Sequence, residues 1–330
     1  MTLELRVNPW TDQVAVIATD RQKRPRDFSQ TTVEPLDGAE MCPFCPGHES
    51  ETPPEIDRDG NADPWRVRVV PNKFPAFIEP TSSQARLEAP YPLSAQAAHG
   101  YHDVVVSTPD HTARPWQLSA DQWQRVLTVC QRRMQVLADR PGVAAVLLTE
   151  NSGPRAGASR SHSHLQITAF PIVPPAIRRE LSCAERHRAE RGGCLMCTMI
   201  VTEREVRSRV VFDTGRFVSF APHASRLPWE VWLCPAVHAA HFGALDAADR
   251  AELGSHLQRL LQTMAARLDG PPYNMVLRTA PVGLGSADYH WHLEVLPRLT
   301  VQAGIEWGAG VYVNPVDPDT VAHDLGDRDG

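Results

Sequence analysis

The feature that most constrains this chain is an ordered set of cysteines and histidines that occurs twice. Cys42-x-x-Cys45 is followed by His111 and then His162; Cys194-x-x-Cys197 is followed by His238 and then His290. The two histidines lie 51 residues apart in the first set and 52 apart in the second. Each copy runs Cys-x-x-Cys, strand, Pro-x-His or Pro-x-x-His, helix, strand, loop, His-x-His. One such order can arise by chance, but two matched copies mark an internal duplication of a unit of about 130–150 residues.

Two thiolates and two imidazoles close a tetrahedral zinc site and leave no position open for chemistry. The expectation is two structural zinc ions per chain, one on Cys42, Cys45, His111 and His162, the other on Cys194, Cys197, His238 and His290. Unliganded core residues and redox Cys-x-x-Cys pairs are the alternatives; a redox pair leaves the matched histidines unexplained. In the second set His241 or His292 could replace one ligand.

Composition narrows the class. The chain has 330 residues, 42% hydrophobic and 22% charged, an ordinary soluble balance with room for two domains or one large one. A net charge of -6 argues against nucleic-acid binding through bulk basicity, so any anionic ligand needs a local site. No apolar run is long enough for a transmembrane helix. The opening MTLELRVNPW lacks the apolar core of a signal peptide, so the expected location is cytoplasmic. Seven cysteines in a reducing compartment do not suggest a disulfide framework.

Periodicity predicts strands at Val14–Ala18, Val67–Val70, Asp103–Ser107 and Val143–Leu148, with a helix over about 119–139 capped by Ser119. Pro171 to Pro175 breaks this pattern and opens a linker, and residues 176–193 form a charged segment, helical or mobile, that ends in Gly192-Gly193. The second half repeats the order, with strands at Arg209–Phe212, Phe217–Pro222, Trp229–Cys234 and Tyr273–Thr279 and a helix from about Asp246 to Leu268.

The stretch Glu150 to Ile167, ENSGPRAGASRSHSHLQI, carries the candidate chemistry. Asn151, Gly157 and Ser159 suit a backbone that approaches a phosphate closely. Read as a strand, its end places His162, His164 and Gln166 on one face. With His162 held by zinc, His164 is left as a nucleophile toward phosphorus. Gln166 can donate an amide hydrogen bond to charge developing on phosphoryl oxygens. Arg21 and Arg24 belong to a basic cluster that reads either as a solvated turn or as a phosphate grip. Asn72 and Lys73 occupy a polar turn at a strand end.

With CPFCPGHE, VVPNKFP, STPDH, ENSGPRAGASRSHSHLQI, PYNMVLRTAP and HWHLEVLP in place, the chain resembles the histidine-triad superfamily. Within it the likeness is to the galactose-1-phosphate uridylyltransferase-like branch. The resemblance implies an α+β fold of duplicated half-barrel units, 1–175 and 176–330, each an antiparallel sheet with helices packed on one face. It implies His164 as the nucleophile of a nucleotidyl-histidine steadied by Gln166, with Asn151, Gly157 and Ser159 at the phosphates. Arg21, Arg24, Asn72 and Lys73 would line the nucleotide side, and a homodimer is implied.

The implied reaction is ping-pong exchange of NMP between a nucleotide-sugar and a sugar 1-phosphate, as in UDP-glucose–hexose-1-phosphate uridylyl transfer. The chain has His-Ser-His-Leu-Gln where the familiar uridylyltransferases have His-Pro-His-Gly-Gln. GASRSHSHLQ and GIEWGAGVYVNPVDPDT are similar to plant-type ADP-glucose phosphorylases, in which phosphate accepts AMP. That adenylyl transfer is the alternative, and a non-catalytic zinc- and nucleotide-binding protein is the third reading. Tyr312 and Asn314 are candidates to touch the sugar, or else part of an ordinary closing strand. His292, followed by Leu293-Glu294, marks the second half as a decayed or structural copy.

Overall fold

The computed structural model describes residues 3–19, 38–60, 65–80, 92, 93, 95, 97–285 and 289–326. Arg21 and Arg24 lie outside the described residues. In the first half the strands are β1 (Leu3–Val7), β2 (Val14–Ala18), β3 (Asp57–Asp59), β4 (Val67–Pro71), β5 (Tyr101–Val106), β6 (Ala145–Ser152) and β7 (His164–Phe170). The second half supplies β8 (Val210–Asp213), β9 (Phe217–Phe220), β10 (Val231–Pro235), β11 (Tyr273–Arg278), β12 (His292–Pro297) and β13 (Val311–Asn314). The helices are α1 (Ala120–Ala138), α2 (Pro175–Arg191), α3 (Leu195–Val206), α4 (Ala247–Leu268), α5 (Gly304–Ala309) and α6 (Pro318–Leu325).

The duplication is visible in the sheet. Ten strands run in the order β3-β4-β5-β7-β6-β11-β12-β10-β9-β8, so each half contributes five in mirrored sequence order. The halves join at β6 and β11, which pair antiparallel from Tyr273↔Ser152 to Arg278↔Leu147. The fold class is the expected α+β one, and the two units share a single continuous sheet.

Helix α1 starts where Ser119 Oγ accepts the backbone N–H of Gln122 at 3.1 Å. Its counterpart α4 starts where Asp246 accepts that of Asp249 at 2.7 Å. Each helix turns an apolar stripe inward: Trp123, Val126, Leu127, Cys130 and Met134 on α1, and Leu253, Leu257, Leu260, Leu261 and Met264 on α4. The two helices pack side by side on one face of the sheet. Gly254 permits this: a Cβ there would stand 2.9 Å from the Ala120 carbonyl oxygen. Leu148, Leu165, Ile167, Leu277 and Leu293 complete this core from the strands.

The opposite face is treated differently in the two halves. In the second half α2 and α3 cover it, with Ile177, Met196 and Ile200 packed among Trp10, Phe220, Trp232 and Tyr289. In the first half, among the described residues, a small cluster of Trp65, Val70, Val104 and Val106, with Phe44 against it, occupies that face. Neither α3 nor α6 stands out from the sequence pattern, and of the two forms expected for residues 176–193, helical or mobile, the structure shows the helical one, α2. A three-stranded sheet, β1-β2-β13, ties the two ends of the described chain together through parallel pairing of β2 with β13. Tyr312 and Asn314 belong to that closing strand, and Asn314 is fully buried with its amide donating to the Ser225 and Leu227 carbonyls.

Candidate active site and metal centres

The first Cys/His set converges. Cys42 Sγ and Cys45 Sγ each lie 3.6 Å from His162 Nδ1, and Cys45 Sγ lies 3.4 Å from His111 Nδ1. In the second set Cys194 is 3.7 Å and Cys197 is 3.5 Å from His290 Nδ1, and Cys197 is 3.7 Å from His238 Nδ1. Tetrahedral ligands at usual zinc distances impose a sulfur–nitrogen separation of about 3.6 Å. Both sets could therefore hold a metal ion. The outer shell repeats too: His162 Nε2–H donates to the Thr108 carbonyl at 2.7 Å, and His290 Nε2–H to that of Pro235 at 3.0 Å. Each bond leaves Nδ1 as the ligand atom. His241 and His292 are not in either set.

Two residues beyond His162, at the start of β7, His164 donates Nδ1–H to the His162 carbonyl at 2.8 Å. Its proton is thereby fixed on Nδ1 and the lone pair on Nε2 is left for chemistry. Burial pushes its pKa below the ordinary histidine value, against the raising effect of that hydrogen bond. Phe44, between the two cysteines, packs on the His164 ring with centroids 5.2 Å apart. The cysteine turn thus reaches the nucleophile through Phe44 as well as through His162.

Gly153 and Gly157 adopt positive φ of 84° and 86° on either side of a single turn of 3-10 helix, Pro154–Ala156. The loop borders a cavity of about 980 Å³ whose wall includes His162, His164, Asn151, Arg114, Arg155 and Arg160. Asn274 Nδ2 donates to Asn151 Oδ1 at 2.7 Å, which turns the Asn151 amino group the other way. Asn274 comes from β11 of the second half, so this asparagine is set by both copies. Of the expected site residues, Gly157, Ser159, Gln166, Asn72 and Lys73 stand outside this cavity wall. Gln166 lies on the other side of His164, where its Oε1 accepts from His102 Nε2–H at 2.7 Å. Asn72 Nδ2 is 3.2 Å from the same His102 nitrogen, and Lys73 donates to the Glu51 carbonyl at 3.5 Å.

Sequence reasoning missed Phe44, His102, Asn274 and the arginines of the cavity. Phe44, Arg155, Arg160 and Asn274 sat inside quoted motifs without a role. His102 gave no signal, and the places of His102 and Asn274 depend on which strands become neighbours.

Glu150 opens the stretch that carries the candidate chemistry but has no role in the sequence reading. It is 1% exposed on the helix side of β6, beside the cavity, and accepts from the Tyr273 hydroxyl at 2.7 Å. Burial raises its pKa from an ordinary 4.5 to about 8. A carboxyl whose folded pKa is raised favours the fold fully below its unfolded value and loses that contribution as pH rises through the folded one. Wild type is expected to lose stability relative to Glu150→Gln between about pH 5 and pH 8, measured by urea unfolding. Parallel stability curves would remove this assignment.

The second copy keeps the scaffold and loses the vacancy. His292 Nδ1–H points at the His290 carbonyl at 3.2 Å, as His164 does at His162. Where Gln166 stands in the first copy, the second has Glu294, held by Arg226 at 2.9 Å and Arg278 at 2.8 Å. Trp232 stacks on His292 at 5.2 Å, and Tyr289 and Trp10 close the other sides. Burial would raise the Glu294 pKa, but the two guanidinium charges outweigh it and hold the carboxylate ionised.

Residues 1–174 match the family described as galactose-1-phosphate uridyl transferase, N-terminal domain. The chain belongs to the galactose-1-phosphate uridylyltransferase family. The ADP-glucose phosphorylase of Arabidopsis thaliana is 34% identical over 97% of this chain and 91% of its own length. A crystal structure of an ADP-glucose phosphorylase from that plant with bound ADP-glucose superposes with a TM-score of 0.86 at 33% identity, covering 98% of both chains. The galactose-1-phosphate uridylyltransferase of Thermotoga maritima is 26% identical over 98% of both. Members on both sides are nucleotidyl-transfer enzymes, and so is this chain. Among the described residues no helix is long and apolar enough to cross a membrane.

Proposed function

We propose that the chain transfers AMP from an ADP-sugar to inorganic phosphate through a covalent adduct on His164. Nε2 attacks the α-phosphorus, the bond to the bridging oxygen breaks, and sugar 1-phosphate leaves. A phosphate oxygen then attacks the same phosphorus, the P–N bond breaks, and ADP is released. The observation that carries this reading is the His164 tautomer: Nδ1–H is held by the His162 carbonyl and Nε2 is left bare. Asn151 and the arginines at 114, 155 and 160 supply donors and charge for phosphates. Adenine is favoured over uracil by the 34% identity to the Arabidopsis enzyme against 26% to the Thermotoga one.

A second reading, uridylyl exchange between UDP-sugar and hexose 1-phosphate, is supported by the family match. Both readings use the same adduct and differ in base and acceptor. Loading the enzyme with ADP-glucose or UDP-glucose and then adding phosphate or hexose 1-phosphates separates them. The expected result is loading by ADP-glucose and discharge by phosphate alone, with ADP as product. Loading by UDP-glucose only, with discharge by hexose 1-phosphate only, would establish the second reading.

We also infer that both Cys₂His₂ sets bind zinc as closed structural sites. Cys42, Cys45, His111 and His162 hold one ion; Cys194, Cys197, His238 and His290 hold the other. Bound zinc supplies rigidity to the strands that carry His164 and His292, and no step of the transfer runs through it.

A further inference from the structure

We propose that His102 is a positioning residue for the transfer step, orienting the Gln166 amide so that its amino end faces the reacting phosphoryl group. This rests on the reading of His164 as the nucleophile. A glutamine amide has one end that donates and one that accepts, and the two are nearly the same shape. Beside a phosphoryl group gathering negative charge, the amino end stabilises and the carbonyl end repels. Something must therefore choose between two orientations that sterics alone leaves equivalent.

His102 makes that choice. It lies at the start of β5, next to β7, in register with Thr168 and two residues before Val104, which pairs with Gln166. The backbone N–H of Ala76 donates to His102 Nδ1 at 3.1 Å. That N–H belongs to the main chain and cannot turn away, so Nδ1 is the bare nitrogen and the ring proton sits on Nε2. Nε2–H then donates to Gln166 Oε1 at 2.7 Å. Asn72 Nδ2, 3.2 Å from Nε2, is also a donor, because Asn72 Oδ1 accepts the Phe74 N–H at 2.9 Å; it could bond Nε2 only if that nitrogen were bare, and the Ala76 N–H on Nδ1 with the shorter Gln166 contact decides for Nε2–H. With Oε1 engaged, the Gln166 amino group points away from His102.

The same ring also anchors the turn after β4. Besides the Ala76 bond, the Asn72 N–H donates to the His102 carbonyl at 2.8 Å. The turn carrying Asn72 and Lys73 is thus hung on the residue that sets Gln166.

Two substitutions divide these roles. Asparagine places an oxygen near the Nδ1 position and can still accept from Ala76, but has no donor for Gln166. Glutamine places an amino group near Nε2 and can still donate to Gln166, but no longer holds Ala76 as the ring does. His102→Asn is expected to slow single-turnover nucleotidylation by roughly 10- to 100-fold with donor affinity nearly unchanged. His102→Gln is expected to keep that rate within about 3-fold and to weaken donor binding instead. In a Gln166→Ala background His102→Asn should cost nothing further, because its effect passes through Gln166. Effects that multiply in the double variant would overturn the proposal.

Nitrogen-15 NMR of labelled histidine gives an independent readout, with the His102 signal assigned by its loss in His102→Asn. The Nε2–H tautomer supports the proposal and the Nδ1–H tautomer contradicts it, whether or not the enzyme turns over. A wild-type enzyme with the Nε2–H tautomer that fails to load any nucleotide would count against His164 as nucleophile, and so against the role of Gln166 in transfer, while leaving the His102–Gln166 bond intact.

Discussion

His164→Asn is expected to lose nucleotidyl exchange by at least about 10⁴-fold while remaining folded. Asparagine is close in shape to the near half of the ring, and its amino group can replace Nδ1–H in donating to the His162 carbonyl, the bond seen at 2.8 Å. What it lacks is an atom at the position of Nε2. The variant therefore isolates the nucleophile from its support. Gln166→Ala should be milder, about 10²- to 10³-fold, because it removes one donor and leaves the covalent route open. Equal residual rates in His164→Asn and wild type, read from exchange of labelled sugar 1-phosphate into nucleotide-sugar, would remove His164 from the chemistry. The second copy supplies an internal control. His292 is fully buried beneath Trp10, Trp232 and Tyr289, and His292→Asn should leave the loading step within about 3-fold.

Loss of the first metal set should be the most damaging structural change. Structural zinc in small sites contributes about 10–16 kcal/mol of apparent binding energy, comparable to the whole net stability of a typical domain. Cys42→Ser is expected to reduce bound zinc from about two ions per chain to about one, to lower Tm by the order of 10 °C and to abolish loading. The link to activity runs through two contacts. His162 carries the carbonyl that holds His164, and Phe44 sits between the two cysteines against the His164 ring. Cys194→Ser should also cost one zinc and some stability. Its set adjoins His292, however, so loading should survive. Metal content by mass spectrometry, together with Tm and loading rate, reads all three. No zinc in wild type, or equal loss of loading in both variants, would contradict this division.

The duplicated Cys/His order made much of this architecture legible in the chain. Matched spacing picks out both Cys/His groups that could hold a metal, and the two-residue spacing puts His164 and Gln166 on one face of β7, with His162 in the bend just before it. Helices α1 and α4 follow from their apolar stripes and the Ser119 and Asp246 caps. The residues that escaped notice depend on pairing between distant strands. Asn274 reaches Asn151 only because β11 lies beside β6, and His102 reaches Gln166 only because β5 lies beside β7. Helix α3 escaped because Cys194, its N-cap, belongs to the second Cys/His set, so the sequence there reads as ligands and not as a helix. Helix α2 is legible only as a charged segment, helical or mobile, because its outer face is dense with arginine and glutamate and Ile177, Cys183 and Ala184 make a narrow buried stripe. Glu180 on that stripe joins Arg278 and Tyr289 in filling the site of the second copy, a burial no local pattern foretells.

The most direct test of the central claim is to trap the adduct. Enzyme mixed with ADP-glucose labelled in the adenylyl phosphate, quenched with denaturant at alkaline pH and digested, should yield one labelled peptide bearing AMP on His164. The label should be lost on brief acid treatment, as a phosphorus–nitrogen bond is, and on addition of phosphate before the quench. Label on another residue, or turnover of ADP-glucose with no label on the chain at any time, would contradict transfer through His164.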